Sequence, residues 1–275
     1  MVQPPPKLGL IAGGGKIPAL VRQACIEGGR PLYIAALKGF CDPATVLDAD
    51  HDWFDLPQVG RLLKALHKAE VQDVCLCGRV ARPDFSSLKP DWKGASLLPA
   101  IIRAAVRGDD ALLRVVLDVF EADGFRVVGA DMLVQGLLAQ PRSYTRCQPD
   151  DGMLNDIRLG KAAARELGVA DIGQAAVASH GAVVGLEDAA GTDDLLQRMA
   201  VTTAARGGVL VKCAKPQQDR RVDLPTVGLT TVRNAAAAGL AGIAIEAGSA
   251  LLVDAAATAA AADSAGLFLI GFQDD

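Results

Sequence analysis

Residues 7–37 restrict the fold more than any other part of this sequence. An apolar run at 7–12 enters the turn Gly13-Gly14-Gly15-Lys16-Ile17-Pro18, and helical periodicity then continues to Glu27. Gly28-Gly29 ends the helix, and residues 31–37 form a second apolar run. Short apolar runs bounded by glycine and proline read as strands buried on both faces. Two such strands joined through a helix run parallel, since the crossover carries the chain back to the edge where it began. The unit therefore opens a doubly wound parallel sheet.

The glycine turn admits two readings. Its backbone can approach a ligand closely, with the helix N–H groups facing a phosphate, or it is a purely structural turn. It departs from the dinucleotide fingerprint, because Pro18 stands where the third glycine belongs and Leu37-Lys38 follow the second strand where a ribose-binding acid is expected. A nucleotide or nucleotide sugar fits better than a nicotinamide, which leaves a dinucleotide-dependent oxidoreductase as a rival.

Further along, residues 59–69 read as a helix, 73–80 as a third strand, 97–107 and 111–122 as amphipathic helices joined by Gly108-Asp109-Asp110, and 125–130 as a strand. Between them, residues 79–94 form a loop with Arg79, Arg82, Lys89 and Lys93 beside Phe85 and Trp92. This loop either grips a phosphate at an apolar surface or is a solvated loop with two aromatic anchors. The expected domains are 1–138 and 151–275, with 139–150 as linker. The second is read as a helix at 155–167, strands at 175–179 and 182–186, a helix from Gly191 to about Arg206, strands at 209–211, 243–246 and 251–254, an alanine-rich helix, and a last strand from Leu267.

The chemistry is concentrated at residues 207–232. Val209-Leu210-Val211 is a buried strand, and Lys212, Lys215, Gln217, Gln218, Asp219, Arg220, Arg221 and Asp223 crowd in directly after it. Ligands of open α/β sheets gather beyond the carboxyl ends of strands. Cations and carboxylates packed between two apolar segments suit a polyanion held partly through a metal ion. Gly191-Thr192-Asp193-Asp194 adds a helix start with Thr192 at the N-cap. Its acids either cap the helix or bridge magnesium to a phosphate, since that ion takes one or two carboxylates plus phosphate oxygens. Glu187 precedes this turn as a ligand, a base or a plain loop acid.

Other classes are excluded. A net charge of −4 gives no nucleic-acid footprint. No G-x-S-x-G elbow or Walker lysine motif occurs. Glu246, Asp254 and Asp263 interrupt the apolar C-terminal third, so no stretch reaches the roughly 18–20 residues a spanning helix needs. The six cysteines lack a paired framework, and no secretory signal is evident; reduced thiols in a cytosolic protein are expected. The chemistry on offer is carboxylates, lysines, arginines and an expected metal, a set that suits hydrolysis at phosphorus, where positioning and charge stabilisation dominate. A non-catalytic nucleotide-sugar-binding regulator is the second rival.

Four segments together resemble the LpxI family, the UDP-2,3-diacylglucosamine pyrophosphatases of lipid A synthesis. They are residues 211–228 (Val-Lys-Cys-Ala-Lys-Pro-Gln-Gln-Asp-Arg-Arg-Val-Asp-Leu-Pro-Thr-Val-Gly), Glu187 with Gly191-Thr192-Asp193, Gly108-Asp109-Asp110, and residues 12–18. The likeness spans nearly the whole chain in order, and segment 211–228 is the specific part. It implies two α/β domains, the first Rossmann-like, with the ligand in a cleft between them. It implies a magnesium-dependent hydrolase that splits UDP-2,3-diacylglucosamine into UMP and 2,3-diacylglucosamine 1-phosphate (lipid X), with water attacking on the sugar side. It also implies a homodimer, peripheral on the cytoplasmic face of a Gram-negative inner membrane.

Carried onto this sequence, the essential aspartate falls on Asp223, as metal ligand or orienter of water, with Asp193 the second candidate for the metal. Lys212, Lys215 and either Arg220 or Arg221 are expected to offset phosphate charge, both arginines are expected substrate contacts, and Glu187 joins the catalytic set. Gly13, Gly14, Gly15, Lys16, Arg79, Asp110, Thr192 and Gln218 complete the expected substrate contacts, and an acyl groove is expected near residues 97–102.

Overall fold

The structure is a computed structural model that describes residues 5–81 and 90–273. The chain divides into two compact units. One is built from the chain up to Gln135 together with Asp219–Val222, the other from Gly136–Gln218 and Asp223–Asp275. Arg82, Phe85 and Lys89 of the expected basic loop lie outside the described residues.

The first unit runs β1 (Leu8–Ala12), α1 (Ile17–Glu27), β2 (Leu32–Leu37), β3 (His51–Phe54), α2 (Val59–Lys68), β4 (Asp73–Cys77), α3 (Trp92–Arg107), α4 (Asp109–Ala122), β5 (Arg126–Val127) and α5 (Ala130–Leu133). Its sheet has the order β3-β2-β1-β4-β5, all parallel, with Leu8 opposite both Leu32 and Asp73. This is the doubly wound order with its switch point between β1 and β4. β1 is buried along its whole length, as a strand covered on both faces requires. β3 was not expected: it is a half-buried edge strand with a polar His51-Asp52 start, so it carries no apolar run. α3 starts at Trp92 rather than 97, because the Asp91 carboxylate accepts from Gly94 N–H at 2.8 Å and caps it.

Asp73 opens β4 in a buried position. Arg126 donates to it twice, at 2.8 and 2.6 Å, and Arg30 donates to the same Oδ2. Burial alone would raise its pKa; the hydrogen bonds from Arg126 and Arg30 outweigh that and hold it below the ordinary 3.8. The pair's stabilisation is therefore full above that value and is lost as pH falls through the depressed one. Asp73→Ala strands Arg30 against the sheet, and a loss of about 3 kcal/mol is expected in urea unfolding at neutral pH. A loss below about 1 kcal/mol, the range of an ordinary exposed ion pair, would contradict this.

The second unit runs α6 (Asp151–Val169), β6 (Ala175–Ser179), β7 (Ala182–Leu186), α7 (Gly191–Ala200), β8 (Val209–Lys212), β9 (Thr226–Val227), α8 (Leu229–Ala237), β10 (Gly242–Glu246), β11 (Leu251–Leu252), α9 (Ala255–Ser264) and β12 (Phe268–Phe272). Its main sheet has the order β12-β10-β8-β6-β7; β12, β10 and β8 are parallel, while β6 is antiparallel to both its neighbours. β9 and β11 pair separately in parallel. Leu210 and Ile243 on one sheet face pack with Leu195, Leu196 and Val232 of α7 and α8. Val211 and Ala244 on the other pack with Ile157 and Ala164 of α6.

Residues 139–150, expected as linker, pack into this unit. Ala139 is fully buried and its N–H reaches Ala250 O, and Tyr144 N–H reaches Leu269 O. α6 begins at Asp151, earlier than expected, because Asp150 accepts from Met153 N–H at 2.8 Å. α7 ends at Ala200, before the expected Arg206, and a 3-10 turn at Thr203–Ala205 follows. Among the described residues no helix is long and apolar enough to cross a membrane. All six cysteines are free thiols, with Cys147 exposed rather than in the core.

Candidate active site

In the second unit, strand pairing sets Glu187 and Lys212 in one row. Lys212 ends β8 opposite Ala175, and Glu187, just past β7, donates its N–H to Ala175 O at 3.0 Å. The two backbones are therefore two strand spacings apart, roughly 9–10 Å, and paired residues point to the same face. The side chain between them is a single methyl, so the long lysine and glutamate can approach each other over it. That face is the one α7 and α8 cover, since Lys212 lies two residues beyond Leu210.

Lys212 is 4% exposed and Glu187 is 7% exposed. The Lys212 ammonium donates to Thr226 O at 3.2 Å. Burial lowers its pKa below 10.5, and the carboxylates of Glu187, Asp193 and Asp223 partly restore it. These three acids from separate segments all act on one buried amine. Two are oriented by neighbours: Thr192 Oγ1 donates to Glu187 Oε2 at 2.8 Å, and Asn234 Nδ2 donates to Asp193 Oδ1 at 2.9 Å. Thr192 thus holds Glu187 and does not cap α7, whose N-cap is Ala190; this corrects the capping expectation.

The structure brings together Glu187, Thr192, Asp193, Lys212 and Asp223. Lys215 goes elsewhere: its ammonium pairs with Asp171 at 2.7 Å. Gln218 is buried, and its Oε1 accepts from Lys215 N–H at 3.2 Å while its Nε2 has no hydrogen-bond partner among the described residues. A buried amide donor left unpaired costs about 1–3 kcal/mol, which a ligand oxygen can recover. Asn234 and Thr226 were not singled out from the sequence; an asparagine inside an alanine-rich helix was the available signal for Asn234.

The remaining expected residues belong to the first unit. Gly13 and Gly14 donate their N–H groups to Cys77 O and Arg79 O, and Arg79 N–H returns a bond to Gly14 O. A Cβ on Gly13 would lie 2.9 Å from the backbone of Gly78 and Arg79, and Gly78 has φ +95. The close approach that demands glycine is thus between the ends of β1 and β4, at the sheet's switch point. Gly15, Lys16 and Arg79 are exposed there. Asp110 sits half-buried in the first turn of α4. Arg221 is held by Asp219, at 2.9 and 2.7 Å, and by Glu121 at 2.5 Å, while Arg220 is exposed.

Among the described residues no group of three or more His, Cys, Asp or Glu is arranged to hold a metal ion. Three carboxyl groups facing one amine do leave the Lys212 group rich in acid. That donor set does not make a closed protein cage, but it fits magnesium, which binds one or two carboxylates and completes its shell with water and phosphate oxygens.

The sequence matches the LpxI N-terminal domain over residues 7–137 and the LpxI C-terminal domain over residues 140–270. It is 45% identical over 273 residues to the UDP-2,3-diacylglucosamine pyrophosphatase LpxI of Caulobacter vibrioides, covering 96% of this chain and 97% of that protein. Against solved structures, the leucoanthocyanidin reductase–NADPH complex from Vitis vinifera overlaps 54% of this chain and 41% of its own at 14% identity and a TM-score of 0.27, too weak to argue from. With both domain matches in order and close identity along nearly its full length, the chain belongs to the LpxI family.

Proposed function

We propose that this chain hydrolyses the pyrophosphate of UDP-2,3-diacylglucosamine, giving UMP and 2,3-diacylglucosamine 1-phosphate in lipid A synthesis, with magnesium as cofactor. The observation that carries the reading is the buried Lys212 ammonium facing Glu187, Asp193 and Asp223 at the end of β8. The Caulobacter relative's name supplies the substrate.

A diphosphate diester carries two negative charges, and attack places more on the transferring oxygens. Lys212 meets that charge in a site where burial strengthens every electrostatic contact. Gln218 Nε2 offers a neutral donor to a phosphate oxygen. Asp223 orients the attacking water and accepts its proton, while Thr192 and Asn234 keep Glu187 and Asp193 in place. Asp193 and Asp223 are the residues that would hold magnesium, which when bound neutralises the diphosphate and aids departure of UMP. Arg221, committed to Asp219 and Glu121, shapes the 219–222 segment. The lipid-borne substrate places the enzyme at the cytoplasmic face of the inner membrane.

The test is UMP release from UDP-2,3-diacylglucosamine with magnesium and with a chelator, in oxygen-18 water. Turnover that needs the metal, with label in the sugar phosphate and none in UMP, is expected. Tight binding of the nucleotide sugar without turnover under both conditions would instead establish the regulator reading.

A further inference from the structure

α3 turns the wrong side outward for a helix that only packs in its own unit. Its buried positions are Gly94, Ala104 and Ala105. Trp92, Ala95, Pro99, Ile102 and Val106, which fall at alternating three- and four-residue spacing, are all exposed. That spacing draws one stripe along a helix. Trp92 is 92% exposed and Val106 84%. Arg103 and Arg107 lie one residue further round, and no Asp or Glu occurs anywhere in the helix. A seam of this kind normally faces a core, and left open it marks an interaction site.

We propose that the exposed face of α3 docks on an anionic phospholipid bilayer. Trp92, Ile102 and Val106 enter the headgroup–acyl boundary, and Arg103, Arg107 and Arg114 take the lipid phosphates. Three observations favour a bilayer over a protein partner. A tryptophan at one end of an apolar stripe flanked by arginines is the composition of an interfacial helix. The arginines line a cavity of ≈ 360 Å³ between α3 and α4, with Ala100, Ala104, Ala111 and Val115 as its apolar wall and Asp118 as its one acid. The patch is basic on a chain of net charge −4, and a second copy would bring no carboxylate from its own α3 to these cations. The proposal adds a surface to the function read above, and its test reads binding alone, so either can fail without the other.

Trp53 and Trp92 are the two tryptophans of the sequence, so in the full chain carrying Trp53→Phe the emission reports Trp92. Vesicles of phosphatidylglycerol and phosphatidylethanolamine should shift it to the blue and sediment the protein; phosphatidylcholine vesicles should do neither, and 0.5 M salt should weaken both effects. Arg103→Gln with Arg107→Gln should lower vesicle partitioning about 30-fold, and Ile102→Ser with Val106→Ser should abolish the blue shift. All four side chains are exposed, so circular dichroism and urea midpoints should match the parent. Equal binding to both vesicle types, or none to either, overturns the proposal. So does a change of sedimentation coefficient in the serine variant without vesicles, which would make the face a contact between copies. Vesicle binding unchanged in both the glutamine and the serine variants overturns it too, because the face would then not be the contact.

Discussion

Asp223→Asn is expected to lower kcat for UMP release by about 10²–10⁴-fold, the range over which a positioned general base contributes. The substitution keeps the shape of the side chain and removes its charge and its ability to accept a proton. Asp223 is half-buried and belongs to the second unit, in the segment that leads into β9. Its loss should therefore leave the urea midpoint within about 1 kcal/mol of the parent. KM should change little, because an interaction made mainly in the transition state appears in kcat. Raising magnesium separates the two roles given to this residue. A metal ligand is partly rescued by excess metal, whereas a base for water is not. A variant with kcat within threefold of the parent would remove Asp223 from the chemistry.

The first unit was legible where its strands are covered on both faces. β1, β2 and β4 are apolar runs bounded by glycine or proline, and the parallel order follows from the helices between them. β3 escaped because a short edge strand needs no apolar run, and it opens on His51-Asp52; β5 falls inside the strand expected at 125–130 but is shorter, Arg126–Val127. Helix starts were placed late wherever an aspartate cap lay upstream of the periodic stretch, at Asp91 and Asp150. In the second unit the strands around His180-Gly181 were found. Positive φ at both turn residues, 51 and 80°, makes them an antiparallel hairpin. That reversal lets β7 and β8 end at the same edge, which is what brings Glu187 to Lys212.

The candidate site was readable as chemistry and only partly as geometry. Glu187, just past β7, and Lys212, the last residue of β8, were marked because their position follows from the fold class, and strand pairing sets them in one row across Ala175. Which charges pair with each other was not readable. Lys215 and Lys212 look equivalent in sequence, three residues apart. Yet one is buried among acids and the other is taken by Asp171, a residue 44 positions earlier that adopts φ +54. Likewise Arg221 is spent on Asp219 and Glu121. Ala175 matters because it is small, a signal visible only once register is known.

Lys212→Met should cut turnover by about 10²–10³-fold, as removal of one preorganised charge-stabilising donor does, and it should also change how stability depends on pH. Burial holds the folded-state pKa of Lys212 below 10.5, with Glu187, Asp193 and Asp223 pulling it partly back. Between the folded value and 10.5 the unfolded chain binds a proton that the folded chain has released. Unfolding free energy therefore rises with pH across that window and is flat for this group above it. The methionine variant lacks the rise, so the stability difference between parent and variant must move in the parent's favour as pH increases. Lys212→Arg supplies the control: it keeps a charge that no accessible pH removes, so it should abolish the slope. It should not restore full activity, because a bulky planar guanidinium does not reproduce the buried ammonium that donates to Thr226 O. Urea unfolding of the three proteins from pH 7 to 10.5 measures the slope. A parent slope no greater than that of the methionine variant would mean that Lys212 stays protonated throughout, held by its three acids more strongly than burial opposes it.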